Sequence, residues 1–230
     1  MASDDLVSQA DRDAERAIRA VLGRHRPDDA VLGEEDGAST GTTNIQWVVD
    51  PIDGTTNYLY DRPDWAVSVA ALSADDPHIL VGVVAEPAHN RLTEAQLGGG
   101  TWTEGRQLRC LPVPELHRAL VEVNLGRPSQ RALAGRLMDA LLPRVRDVRR
   151  GGSAACALAQ VAAGRADAYW GPGLQSWDGA AGLLLVSEAG GSVGDLAGRS
   201  AAWPLGGDIL ATAPALWEPL RALIAEVHDA

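Results

Sequence analysis

The chain has 230 residues, 46% of them hydrophobic and 22% charged, with a formal net charge of −11 at pH 7; we expect one large domain or two closely packed lobes around a buried core. The negative charge argues against nucleic acid or an anionic membrane as partner, and no apolar run approaches the roughly 20 residues of a membrane-spanning helix. With no signal-peptide pattern and only Cys110 and Cys156 as cysteines, we expect a cytoplasmic protein.

The first half of the chain predicts one helix followed by a sheet. Apolar residues at helical spacing predict a helix over residues 8–22, and Ser8 with Asp11 resembles a capping box at its start. A polar loop is predicted over residues 37–43. Short apolar runs bounded by Pro, Gly, Asn and Asp predict strands over residues 45–49, 65–72, 79–86, 91–97 and 101–109. This spacing favours an antiparallel sheet.

The second half alternates strands and helices, which favours an α/β lobe. Strands are predicted over residues 119–123, 166–170 and 208–213. Helices are predicted over residues 130–142, 153–163, 178–189 and 215–227. Near residue 112 the predicted elements change from successive strands to alternating strands and helices. We therefore predict an N-terminal lobe over residues 1–112 and a C-terminal lobe over residues 113–230.

An apolar strand runs directly into an acidic turn, with the sequence Asp50-Pro51-Ile52-Asp53-Gly54-Thr55-Thr56. Two aspartates at the end of a buried strand are costly unless cations lie between them. Oxygen ligands suit Mg²⁺, and free backbone amides at a helix start suit a phosphate. The turn is therefore a candidate site for a metal and a phosphate together.

Two further places concentrate carboxylates. Glu34 and Glu35 follow Gly33, and Asp178 begins an apolar helix. Taken alone, the glutamates fit a solvated loop and Asp178 fits an ordinary helix N-cap. These structural interpretations stay open as long as each residue is considered by itself.

Together the motifs resemble the inositol monophosphatase family, a group of Mg²⁺-dependent, lithium-sensitive phosphatases. The matching segments are Gly33-Glu34-Glu35, the run from Asp50 to Asn57, Gly152-Ser153-Ala154-Ala155 and Trp177-Asp178-Gly179-Ala180-Ala181-Gly182. The resemblance implies an α/β fold with alternating α-β-α-β-α layers. In it, an antiparallel N-terminal sheet lobe packs on a smaller mixed α/β C-terminal lobe.

The resemblance also implies where metal ions bind. Two Mg²⁺ ions are expected on four carboxylates and one backbone carbonyl, from Glu34, Asp50, Ile52, Asp53 and Asp178. A third, weaker Mg²⁺ site is expected near Asp11, and the capping-box role of that residue is an equal alternative. The catalytic residues implied are Glu34, Asp50 and Thr55.

Substrate contacts follow from the same resemblance. The amides of Gly54 and Thr55 are expected to hold phosphate oxygens, and the Thr55 hydroxyl with Glu34 to orient the attacking water. The alcohol is expected near Ser153, Ala154, Gly171 and Asp178. Members that act on inositol phosphate carry a glutamate where this chain has Gly171, so we expect an alcohol other than inositol.

The expected activity is hydrolysis of a small polyol, sugar, amino-alcohol or nucleoside monophosphate. Open alternatives are a histidinol-phosphate phosphatase, a phosphatase of specialised metabolism, and a bisphosphatase acting on fructose bisphosphate or adenosine 3′,5′-bisphosphate. A non-catalytic member that only binds phosphate ligands is the alternative outside enzymes. The family also implies a homodimer, and its usual N-terminal helix has no counterpart before Asp11.

Overall fold

Two β-sheets and six α-helices make up the part of the chain that the computed structural model describes, which is residues 8–75, 78–113, 115–196 and 208–229. Short 3₁₀ helices lie at Pro87–His89, Leu116–Arg118, Pro128–Gln130 and Pro214–Leu216. Within these described ranges, no helix is both long and apolar enough to cross a membrane.

The first sheet has eight strands and holds the acidic turn. The strands are β1 (Ala30–Gly33), β2 (Gly37–Ser39), β3 (Ile45–Asp53), β4 (Ala66–Ser73), β5 (Ile79–Glu86), β6 (Arg91–Gln96), β7 (Gly100–Thr103) and β8 (Arg106–Leu108). Their order is β2-β1-β3-β4-β5-β6-β7-β8. Every neighbouring pair is antiparallel except β1 and β3, which run parallel.

The second sheet is smaller and mixed. Its strands are β9 (Leu120–Val123), β10 (Asp147–Arg149), β11 (Ala168–Gly171), β12 (Ser192–Asp195) and β13 (Ile209–Thr212), in the order β10-β9-β11-β13-β12. Strand β9 lies parallel to both of its neighbours, whereas β13 is antiparallel to β11 and β12.

The helices form three layers around the sheets. They are α1 (Gln9–His25), α2 (Thr55–Leu59), α3 (Arg131–Leu141), α4 (Ala154–Ala162), α5 (Ser176–Glu188) and α6 (Trp217–Asp229). Helix α1 packs on the outer face of the first sheet. Helices α4 and α5 fill the space between the sheets, and α3 with α6 covers the outer face of the second sheet. The predicted α-β-α-β-α layering is confirmed.

Helix α5 shows why the middle layer is apolar on all sides. Its residues from Gly179 to Val186 are all buried, because one side contacts the first sheet and the other contacts α4 and the second sheet. A helix buried all round has no polar face. Small residues allow close approach: a Cβ at Gly82 of β5 would lie 2.8 Å from the Ala181 carbonyl oxygen.

Two predicted elements differ from the structure. The single strand predicted over residues 101–109 is a hairpin of β7 and β8, because Glu104 and Gly105 take positive φ angles of 49° and 73° and reverse the chain. The loop predicted over residues 37–43 begins with β2, which pairs with β1 and leaves a tight turn at Glu34.

Candidate metal centre and active site

A parallel strand pair brings the first two carboxylates together. Strands β1 and β3 pair in register with Gly33 opposite Val49, so the next residues, Glu34 and Asp50, follow at the same end of the sheet. The backbone N–H of Glu34 donates to the Val49 carbonyl at 3.2 Å, which ties the turn to β3. Glu34 is thus held beside the acidic turn rather than in a solvated loop.

A bulge brings Asp53 to the same place. The pairing of β3 with β4 shifts register between Asp50 and Asp53, across Pro51 and Ile52. A bulge redirects side chains that regular alternation would send to fixed faces of the sheet. Both aspartates are buried, with 1% and 9% of their surfaces exposed.

The third aspartate comes from the second half of the chain. Asp178 lies in the first turn of α5, where its carboxylate accepts the Gln175 N–H at 3.0 Å. The hydroxyl of Ser68 donates to the Trp177 carbonyl at 3.2 Å and so fastens this helix start to the first sheet. One carboxylate oxygen from each of Asp50, Asp53 and Asp178 lies within 4.8 Å of the others. Asp178 is therefore not the N-cap that the sequence allowed: Gln175 is the N-cap, and Asp178 is the third residue of the helix, with its side chain in the cluster.

Crowding raises the pKa values of these carboxyls. Burial, together with the charge of Asp178, raises the pKa of Glu34 to about 8 and that of Asp53 to about 7. Burial and three neighbouring carboxylates raise the pKa of Asp50 well above its usual range. Its buried Oδ1 has no hydrogen-bond partner among the residues that the structure describes. An orphaned carboxylate oxygen beside like charges fits a site for a hard cation such as Mg²⁺.

Asp53 is oriented by the start of α4. Its Oδ2 accepts the Ser153 hydroxyl and the Ala155 N–H, each at 2.6 Å. The Ser153 oxygen also caps the helix by accepting the Cys156 N–H at 3.0 Å. Ala154, the first residue of α4, is 2% exposed. The start of α4 therefore lies against Asp53, and the expected contact of Ser153 and Ala154 with the alcohol stays a prediction.

The turn after Asp53 places Gly54 and Thr55 beside the cluster. Gly54 has φ = +94°, and a Cβ there would lie 3.1 Å from the Asp64 carbonyl oxygen, so glycine is required. The Thr55 hydroxyl lies 3.2 Å from the Ile52 carbonyl and 3.4 Å from Asp11 Oδ1. Asp11 forms the expected capping box with Ser8, and the weaker metal site near it stays a prediction.

Sequence reasoning missed Glu15, a fully buried residue of α1. Its carboxylate accepts the N–H groups of Glu35 at 2.9 Å and Asp36 at 3.2 Å, and pairs with Arg19 at 2.7 Å. Glu15 therefore fixes the turn that carries Glu34. The signal was available: Asp11 and Glu15 lie four residues apart on the face that buries Leu22, where carboxylates need partners.

Asn57 is a second residue without an assigned role in the sequence. Its side-chain amide donates to the carbonyls of Asp64 at 2.5 Å and Gly151 at 2.7 Å. These bonds join the short helix α2 to the turn that precedes Ser153. The part of the first sheet that ends in Asp53 is thereby held against the start of α4.

Gly171 lies at the end of β11, on the face shared with Tyr169. A Cβ at Gly171 would lie 2.3 Å from the Tyr169 hydroxyl oxygen. That hydroxyl is buried, and no described residue meets it at full hydrogen-bonding geometry, although the Asn124 side chain interacts with it. The absence of a side chain at Gly171 therefore makes room for the Tyr169 hydroxyl.

Known proteins are similar to this chain in both sequence and fold. Inositol-1-monophosphatase SuhB of Mycobacterium tuberculosis is 40% identical over 230 residues, covering 96% of this chain and 78% of its own. Inositol-1-monophosphatase of Mesorhizobium japonicum is 43% identical over 198 residues, covering 84% and 73%. The structure of extragenic suppressor protein SuhB from Bartonella henselae has a TM-score of 0.91 at 35% identity, covering 96% and 85%. The model of the inositol monophosphatase family matches residues 2–230, and the chain belongs to that family.

Proposed function

We propose that the carboxylate cluster of this hydrolase binds Mg²⁺ and that the chain hydrolyses a small phosphate monoester there. The observation that carries the proposal is the convergence of carboxylate oxygens of Asp50, Asp53 and Asp178 within 4.8 Å, where a buried Asp50 oxygen has no hydrogen-bond partner in the described part of the chain. Carboxylates this close repel one another unless they are protonated or share a cation. The family assignment supplies the reaction class, hydrolysis of phosphoric monoesters.

The proposed ligands are those implied by the resemblance. One Mg²⁺ is held by Glu34, Asp50 and the Ile52 carbonyl, and a second by Asp50, Asp53 and Asp178. A third, weaker position lies toward Asp11. When bound, the ions neutralise phosphoryl oxygens, activate water and stabilise the departing alkoxide.

In this proposal, side chains of the site and the turn at Gly54 and Thr55 position the water and the phosphate. Glu34 and the Thr55 hydroxyl orient a water molecule for in-line attack, and Glu34 accepts its proton. The N–H groups of Gly54 and Thr55 hold phosphate oxygens. As the new P–O bond forms, the bond to the alcohol breaks and the alkoxide takes up a proton. Ser153 keeps Asp53 in one orientation throughout, through the bond at 2.6 Å.

The proposed substrate is a monophosphate of a polyol, sugar, amino-alcohol or nucleoside. Ser153, Ala154 and Asp178 are proposed to face its alcohol, whereas Gly171, expected from the sequence to do so, faces the Tyr169 hydroxyl. We also propose a homodimer in the cytoplasm, on the basis of the family resemblance and of two cysteines, Cys110 and Cys156, that form no disulfide. Sedimentation equilibrium would test the dimer.

The test is phosphate release from glycerol 2-phosphate, inositol 1-phosphate, histidinol phosphate, fructose 1-phosphate and adenosine 5′-phosphate, with Mg²⁺ or with a chelator. Release that requires Mg²⁺ and disappears in Asp50→Asn supports the proposal. Mg²⁺ binding without release from any ester would instead support a non-catalytic, ligand-binding member of the family.

A further inference from the structure

A cavity of about 260 Å³ opens beside the carboxylate cluster. Glu34 and Asp178 line one side of it, and Asn124, Arg127 and Gln130 line another. The second group, which we call the amide wall, comes from the segment between β9 and α3. Because Glu34 and Asp178 belong both to the proposed metal site and to the lining of this cavity, the alcohol part of a bound ester could extend toward the amide wall.

The hydrogen bonds of the amide wall fix which atoms face the cavity. Asn124 Oδ1 accepts the Gly126 N–H at 3.1 Å, and Gln130 Oε1 accepts the Arg127 N–H at 2.9 Å. A backbone N–H can only donate, so both amide oxygens are assigned and occupied. The Gln130 NH₂ group is left as a donor, with no hydrogen bond to any residue in the described ranges, whereas the Asn124 side chain also interacts with the Tyr169 hydroxyl.

The side chain of Gln130 is held in place by the backbone at Gly126 and at Gly173. A Cβ at Gly126 would lie 2.4 Å from its Oε1, and a Cβ at Gly173 would lie 2.4 Å from its Nε2. Both glycines have positive φ angles, 64° and 61°. The carboxamide is thus packed between two turns where only glycine fits. A donor held this way loses little conformational freedom when it binds a ligand.

Arg127 supplies a positive charge at the same wall. Arg149 is paired with Asp147 at 2.6 Å, and Arg165 donates to Gln160. The guanidinium of Arg127, by contrast, makes no ion pair with any residue that the structure describes. Among the residues lining this cavity it is the one cation.

We propose that the amide wall binds a second anionic group, a carboxylate or a phosphate, carried by the alcohol of the substrate. The inference rests on the proposed function, since it names the class of ester that the site selects. The Arg127 guanidinium and the Gln130 NH₂ group offer donors and positive charge, which match an anion rich in acceptors. A cationic amino-alcohol such as histidinol would meet like charge there and gain nothing from the donors.

Matched substrate pairs test this directly. 2-Phosphoglycerate differs from glycerol 2-phosphate by a carboxylate, and fructose 1,6-bisphosphate differs from fructose 1-phosphate by a second phosphate. For each pair we define the preference as kcat/KM of the anionic ester divided by kcat/KM of its partner. Wild type is expected to prefer one or both anionic esters, and the pair that responds identifies the anion as carboxylate or phosphate.

Variants then identify the residues that cause the preference for the anionic ester. Arg127→Gln is expected to lower it by about tenfold to a hundredfold, mainly through KM, because a charge-assisted hydrogen bond is lost. Gln130→Glu, which replaces a donor by an anion, is expected to lower it further. Arg131→Gln removes the same charge from an exposed residue outside the cavity lining, and is expected to keep the wild-type preference.

The outcomes separate this inference from the proposed function. No Mg²⁺-dependent release from any of the four esters would refute the proposed function. Release from all four with a preference near one, or a preference equally reduced in Arg127→Gln and Arg131→Gln, would refute the amide wall as an anion site while leaving the phosphatase assignment in place.

Discussion

The two sides of the cleft are built differently. The carboxylate side is buried and rigid: Asp50 is 1% exposed, and Asp53 is held by two hydrogen bonds at 2.6 Å. The amide wall is more open, with Arg127 exposed and Gln130 half-buried. Groups that must hold cations close to a reacting phosphate need fixed positions. Groups that select an alcohol tolerate more solvent and carry no sequence motif here.

The two sides also differ in how far apart in sequence the residues are that hold them in place. The carboxylate side takes residues from β1, β3, α4 and α5, joined by contacts between residues as far apart in sequence as Asp53 and Ser153. The hydrogen bonds that orient the Asn124 and Gln130 side chains stay within one segment, since these side chains accept N–H groups two and three residues away. We therefore expect changes on the carboxylate side to affect every substrate, and changes at the amide wall to affect some.

The largest effect is expected for Asp50→Asn. Loss of residues that merely orient metal ligands costs about 10- to 100-fold, so loss of a proposed ligand shared by two ions should lower phosphate release at least about a hundredfold. The fold should persist, because removing one of several crowded, buried carboxyls relieves repulsion. Phosphate release and thermal unfolding measured on the same sample check both parts. Wild-type turnover in this variant would contradict the metal assignment.

Glu15→Gln is expected to act through Glu34. The change weakens the acceptor for the Glu35 and Asp36 N–H groups and removes the charge partner of Arg19. We expect about a tenfold loss in phosphate release and a higher Mg²⁺ concentration for half-maximal rate.

Asp13→Asn is the matched control for Glu15→Gln. It removes one carboxylate from the same helix, where Asp13 pairs with Arg16 in solvent. If both variants respond alike, the effect of Glu15→Gln comes from charge or helix stability and not from positioning Glu34.

The stability of the cation-free protein should depend on pH. The pKa values of Glu34 and Asp53 rise from 4.5 and 3.8 to about 8 and about 7 in the folded state, chiefly through burial. A carboxyl with a raised folded-state pKa stabilises the fold while protonated. That contribution is complete below about pH 4 and is lost as pH rises toward 8.

In chelator, therefore, Tm should fall by about 5 °C or more between pH 5 and pH 8. Added Mg²⁺ should remove most of this fall, since cations replace protons between the carboxylates. Scanning calorimetry across this range, with Asp50→Asn as comparison, measures it. An equally steep fall with and without Mg²⁺ would mean that general surface charge causes it.

The smallest effect is expected at Gly171, and it concerns packing. Gly171→Ala places a methyl group 2.3 Å from the Tyr169 hydroxyl, so the ring must shift, at a cost of about 1–3 kcal/mol in the free energy of unfolding. In a Tyr169→Phe background the cost should be smaller. Urea unfolding of the four proteins in this cycle gives the coupling, and strictly additive effects would exclude the contact.

The motifs predicted that Asp50, Asp53 and Asp178 belong to one site, and the structure brings them together. Metal chemistry would limit the residue types that can stand at these positions, so such a pattern is visible in one sequence. Apolar residues at helical spacing likewise predicted α1, whereas α5 is apolar on all sides and has no such periodicity. Short elements such as β2 and β10, with three residues each, lack enough periodicity to be recognised.

What the sequence could not predict depends on contacts between distant residues. Glu15 takes its role from N–H groups 20 and 21 residues away, and Asn57 from a carbonyl 94 residues away. The filled space at Gly171 depends on the orientation of a neighbouring ring. The amide wall, too, becomes visible only when the fold places Arg127 across a cavity from Asp178.

The most direct test of the central claim is a Mg²⁺ titration of the cation-free protein that records metal binding by calorimetry and phosphate release from glycerol 2-phosphate over the same concentrations. Our account predicts that at least two ions bind, that release rises as the sites fill, and that Asp50→Asn loses both. Release at full rate in chelator, or binding that is unchanged in Asp50→Asn, would contradict it.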